Sequence, residues 1–140
     1  MASGAEVDVS ELTREWKIIE RRVTDFSAVT PIVAEILVGA VNDEWDSAGR
    51  GRWPGLAAST IARRRGSSTQ ILKDTGRAAG SVRGESDSTS AAAVTDTAYM
   101  IYHVSDEART RLPLRNPFDV LDVAMPEIED VVLGYITAAR

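Results

Sequence analysis

The chain reads as an α+β protein in which a small antiparallel sheet, built from the middle third, packs against two long helices. Three observations predict this. Apolar residues recur at helical spacing over residues 30–45 and again over 126–139, and between them two short β-prone runs flank a polar turn. With 140 residues, of which 44% are hydrophobic and 26% charged, the sequence has the size and apolar content of one domain, 1–140, with one core.

The elements follow in order. Residues 1–9 are small and acidic without a period, and read as a mobile arm or a short edge strand. Ser10 can cap a helix in which Leu12, Trp16, Ile19 and Val23 recur on one face, with Glu11, Arg14, Glu15 and Lys17 on the other. Thr30 as cap and Pro31 at the first helical position open the strongest helix. Its stripe is Ile32, Val33, Ile36, Leu37, Ala40, Val41 and Trp45, opposite Glu35, Asn42, Asp43 and Asp46.

Three glycines and a proline make residues 46–60 a loop. Trp53 inside it either pins the loop to the core or docks on a partner. "ASTIARRRG" spells a short helix ended by Gly66, and beyond Gly80 "SVRGE" and "SAAAVTD" form a hairpin around "SDST". "TAYMIYHV" is apolar enough to be buried as a strand or as a short helix, and its period does not choose between them. Pro113 and Pro117 keep "LPLRNPF" extended. Pro126 begins the last helix, with Glu127, Glu129 and Asp130 in its first turn and Ile128, Val131, Val132, Tyr135, Ile136 and Ala139 on one face.

Composition removes several function classes. Without cysteine there is neither a disulfide framework nor a thiolate zinc site, and His103 is the sole histidine, so no metal site and no cofactor is expected. The longest mainly apolar run, residues 32–41, contains Glu35 and is too short for a membrane span, and "MASGAEVDVS" lacks the layout of a secretory signal. These features predict an intracellular protein, or part of something assembled inside a cell. A net charge of −5 argues against general nucleic-acid binding and against a small DNA-binding regulator. The charge is uneven, however. Arg50, Arg52, Arg63, Arg64, Arg65, Lys73, Arg77 and Arg83 make the middle basic while both ends are acidic, a pattern that suits contact between copies or a solvated face.

Asp74-Thr75-Gly76 is the tripeptide of retroviral-type aspartic proteases, and "VVLG" at 131–134 could stand for the segment that buttresses it. The neighbours disagree. Lys73 and Arg77 would crowd a buried carboxylate pair and hold Asp74 ionised, removing the proton the pair must share. Gly134 falls within the helical period, where it costs about 1 kcal/mol relative to alanine. The simpler expectation is that Asp74 or Thr75 caps a short helix beginning near Gly76, with Ile71 and Leu72 packed beneath.

"WPGL" with "STI", "ILKDTG" with "GSV", "YMIYHV" and "LPLRNPF" occur in one order between residues 53 and 118. That order resembles the virion morphogenesis or tail-completion family of long-tailed bacteriophages, whose members read Trp-x-Pro-Leu, Ile-Leu-x-x-Thr-Gly, Tyr-Ala-x-x-His and Pro-x-Arg-Pro-Phe. Here Met100 replaces the alanine and Asn116 separates Arg115 from Pro117. Asp74, Thr75, Gly76, Tyr99, His103, Pro113, Pro117 and Phe118 are the matching structural positions.

The resemblance implies a tail-completion or tail-terminator-like fold and a structural, non-enzymatic protein of the phage neck, assembled in the host cytoplasm and carried in the virion. It would form a homo-oligomeric ring, a hexamer, that caps the tail tube or joins it to the head connector. DNA would pass through its lumen without sequence-specific binding, and no membrane is involved. Tail terminator and connector-side adaptor differ in partner surface rather than in motif. The expected partner contacts are Trp53, Arg63, Arg64 and Arg65, then Arg109, Arg111 and Arg115, with residues 46–60 and 104–112 as interface loops. Each has a plainer alternative. Arg63, Arg64 and Arg65 can be a solvated helix face, Tyr99 and Tyr102 core, His103 a hydrogen-bonded structural residue, and Phe118 the staple between last helix and sheet.

Overall fold

The computed structural model describes residues 4–64, 70–72, 76–104 and 114–138. In chain order the elements are α1 Ser10–Thr24, α2 Thr30–Asp46, α3 Ala58–Ala62, α4 Arg77–Gly80, β1 Arg83–Ser86 and β2 Ala91–Val94. A 3-10 turn, Ala98–Met100, then runs into the single turn α5, Ile101–Val104, and α6 spans Leu121–Thr137. The architecture is mixed helix and sheet, and the sheet has two antiparallel strands, with Arg83 opposite Val94 and Ser86 opposite Ala91.

Both strands lie on α2, and so does α6, which also meets α1. Of the two long helices expected against the sheet, α2 carries it and α6 packs on α2. α2 is the central element, and its apolar residues serve two directions. Ala34, Leu37, Val41 and Trp45 are buried, whereas Ile32 remains 50% exposed and lines an open groove shared with α6. The hairpin sits close because its residues are small. A Cβ added at Gly84 would stand 3.0 Å from the Cβ of Ala34, so β1 needs glycine there to reach the helix.

The core is compact: Val41, Trp45, Ala78, Met100 and Val120 are buried together, with Leu72, Ala79, Val82, Ala93, Val104 and Phe118 packed around them. "TAYMIYHV" resolves as helix, which turns Met100 and Val104 onto this cluster. Phe118 reaches the same cluster, and Asn116 shapes the approach by accepting the Phe118 N–H at 2.9 Å on its side-chain oxygen.

Helix starts differ from expectation. Ser10 lies inside α1, and it is Asp8 whose carboxylate accepts the Ser10 N–H at 2.9 Å. Thr30 is helical too; its hydroxyl donates to the Asp87 carbonyl rather than capping α2. α6 begins at Leu121, so Pro126 is interior rather than initial. α3 ends at Ala62, and Gly66 lies outside the described residues. Residues 131–134 are helical, so "VVLG" does not form the strand that a protease corner would need.

The Asp87 carboxylate organises the hairpin turn by accepting the N–H groups of Thr89 at 2.8 Å and Ser90 at 2.7 Å. Those bonds, the Thr89 one foremost, lower its pKa below the ordinary aspartate value. A carboxylate with a depressed folded-state pKa contributes stability that is complete above the unfolded value and lost as pH falls through the folded one. The expected result is that wild type and Asp87→Ala differ in melting temperature at pH 6 and converge toward pH 3, read by thermal scans at both.

Candidate functional site

α2 ends in a reversal of unusual handedness. Ala48, Gly49, Arg50 and Gly51 follow one another at φ 51°, 66°, 58° and 77°, four successive left-handed residues of which two carry side chains. Left-handed geometry costs an L-residue on the order of 1–2 kcal/mol, so the turn exists only because its surroundings hold it. Backbone bonds supply part of that hold: Gly49 N–H to the Glu44 carbonyl at 2.8 Å, Gly51 N–H to Ser47 at 2.9 Å and Trp53 N–H to Ala48 at 3.1 Å. The Ser47 hydroxyl accepts the Arg50 N–H at 3.0 Å.

The reversal carries two arginines back over the last turn of α2. Glu44 is 2% exposed, and its carboxylate accepts from Arg50 Nε at 2.9 Å and Arg52 Nη2 at 2.9 Å. Arg50 extends to Asp122 of α6, 2.9 Å away, and this hydrogen bond holds the Asp122 carboxyl below the usual range. One buried carboxylate thus joins α2 and the loop, and through Arg50 the link reaches α6.

Trp53 is half-buried and lies against the backbone of its own loop: a Cβ on Gly49 would fall 2.2 Å from the indole Nε1. Gly49→Ala therefore meets both the left-handed φ and the ring. It should cost about 1–2 kcal/mol and release Trp53 into water, seen as red-shifted emission that Trp53→Phe lacks.

Downstream, the loop is clamped by Arg115. This residue is only 7% exposed and donates from Nε at 3.1 Å and Nη2 at 2.8 Å to the Pro54 carbonyl, and from Nη2 to Gly55 at 3.1 Å. Burial, and secondarily the charge on Arg64, lower its pKa, although a guanidinium stays ionised at ordinary pH. Arg115, expected on an arm reaching a neighbour, makes all three of these bonds within its own subunit.

The other expected site residues separate into three groups. Arg63 is exposed, bonded from Nε to the Ser59 carbonyl at 3.2 Å, and Arg64 is half-buried and donates to the Gln70 carbonyl. Together with exposed Arg52 they are the basic side chains flanking the clamped loop in sequence. Pro117 is fully buried and Phe118 joins the core, while Gly76 enters α4 at φ 79°, His103 is half-buried in α5 and Tyr99 lies in the 3-10 turn. Arg65, Asp74, Thr75, Arg109, Arg111 and Pro113 lie outside the described residues.

Sequence reasoning missed Glu44, its bonds to Arg50 and Arg52, and the Arg115 clamp. Glu44 sits six and eight residues before its arginines, a spacing that belongs to no periodic element. Its one visible signal is the Gly-Arg-Gly-Arg run that starts three residues past the last residue of α2. Among the described residues no cluster of three or more metal-ligating side chains occurs, and no helix is long and apolar enough to cross a membrane. The site is a braced loop with arginine side chains at its edge. Compared with known proteins, the chain matches no family model, no curated protein and no solved structure.

Proposed function

We propose that this chain is a structural protein of a tailed-phage neck, acting in tail completion or head-tail joining as a homo-oligomeric ring with a tail-completion-like fold. The observation that carries the reading is the Arg115 clamp. "WPGL" and "LPLRNPF", two of the segments that resemble the family's motifs, are sixty residues apart and meet as one unit, arginine guanidinium on Pro54 and Gly55 carbonyls. The paired motifs thereby acquire a physical reason to occur together, since one supplies the donor and the other the acceptors. On this reading the protein acts by contact rather than catalysis, and its partners are further copies of itself, the tail tube and the connector.

The test is negative-stain imaging with mass determination of the purified protein, alone and mixed with the assembled tail tube of the same source. Rings, or caps at one end of the tubes, are expected. Monomers that bind neither tails nor DNA-filled heads would overturn the reading, and peptidase activity lost in Asp74→Asn would replace it.

A further inference from the structure

Strain and charge meet at one point of this molecule. Among the described residues three non-glycines stand at positive φ, and two of them, Ala48 and Arg50, fall in the reversal that follows α2. Backbone outliers of this kind persist only where surrounding contacts impose them, and they gather at switch regions. Here the imposing contact is the Glu44 carboxylate. It is 2% exposed, and its hydrogen bonds come from Arg50 Nε and Nη2 and from Arg52 Nη2, at or beyond the turn. Among the described residues no main-chain N–H and no side chain of the hairpin or of α6 shares that carboxylate.

We infer that Glu44 is a charge-operated latch, and that residues 47–53 have a second, relaxed conformation selected when Glu44 loses its charge. With the carboxylate ionised, opening the loop would take charge-assisted donors off an anion the fold buries, and that cost outweighs two left-handed residues. With the carboxyl neutral, the bonds that remain are of the ordinary, weaker kind and the backbone strain is unchanged. The balance then reverses. Both arginines can leave, because their side chains are already 33% and 55% exposed.

The moving part has fixed ends. Upstream is the last residue of α2, and downstream the Arg115 guanidinium holds the Pro54 and Gly55 carbonyls. Between them Trp53, which lies against Gly49, would swing into water. A loop expected to meet a partner is thereby held closed by one carboxylate behind it, a device that stands whether or not the ring reading does.

Acid alone would not isolate the latch. Asp122 shares Arg50, and Glu35, Asp43 and Glu127 line the groove that Glu44 also lines, so all would titrate with it. Substitution at constant pH does isolate it. The test compares wild type with Glu44→Gln, Asp122→Asn and Glu44→Gln/Ala48→Gly, each read against its Trp53→Phe counterpart. Glu44→Gln should red-shift the Trp53 emission and speed tryptic cleavage after Arg50 and Arg52 by about tenfold, while hydrogen exchange within α2 stays as slow as in wild type. Adding Ala48→Gly should return both signals toward wild type, since glycine occupies positive φ without strain. Asp122→Asn, which removes an exposed charge from the same arginine, should leave the loop closed. Wild-type emission and cleavage in Glu44→Gln would overturn the latch. So would α2 exchange that accelerates in step with the loop, a red shift that Ala48→Gly does not reverse, or equal opening in Asp122→Asn.

Discussion

Arg115→Ala is expected to destabilise the protein by about 2–4 kcal/mol, because hydrogen bonds from a charged donor contribute roughly 1.5–3 kcal/mol each and the truncated stem leaves unfilled space. The side chain makes three such bonds to two carbonyls from a residue 7% exposed. The Pro54 and Gly55 carbonyls lie at exposed residues and regain water in part, which keeps the loss below the sum of three bonds. Arg115→Lys should recover less than half, since an ammonium on a flexible stem cannot reproduce a planar fork reaching two carbonyls. Urea denaturation measures the loss. Limited trypsin digestion adds a local signature, faster cutting after Arg50 and Arg52, which a uniformly weakened core would not favour.

Pro126→Ala is expected to act in the opposite direction, stabilising by about 1–3 kcal/mol, since proline in a helix interior costs about 3 kcal/mol. Pro126 is exposed at the sixth residue of α6, past the first turn where a missing N–H goes unnoticed. Alanine would restore the bond to the Asp122 carbonyl and remove the ring's clash with it. Thermal melts test this, with a rise of several degrees expected for a domain of this size. An unchanged or lower melting temperature would mean that the proline ring makes compensating contacts.

That same proline shows how far the sequence could be read. Periodicity located α2, α6 and the hairpin, because burial of one face leaves a recurring trace in residue type. It misplaced the start of α6, because Pro126 carries the signature of a first turn and "LDVAM" before it has no cap. The capping expectations at Ser10 and Thr30 failed for a related reason: a hydroxyl has several nearby acceptors, and only the fold brings the Asp87 carbonyl within reach of Thr30. Arg115 was legible as important and illegible in role. Its targets are main-chain carbonyls, which every residue possesses. Glu44 was hidden by a left-handed turn, since Ala48 and Arg50 at positive φ violate the preferences by which turns are recognised.

The one-ended attachment of α1 also divides the molecule in time. α2 is enclosed by the hairpin and α6, so its central amides become available to solvent only when the whole domain opens. α1 packs against α6, and its hydrogen bonds there, from Arg22 to the Tyr135 carbonyl and from the Tyr135 hydroxyl to the Asp25 carbonyl, lie at its C-terminal end, so it can unwind from Ser10 toward Arg22 without disturbing a buried side chain. In a lone subunit its deuterium uptake should run at rates set by local fraying, while the amides of α2 stay protected for the lifetime of the native state. Two clocks in one small domain would follow from where Arg22, bonded to the Tyr135 and Ala138 carbonyls, ties the helix down.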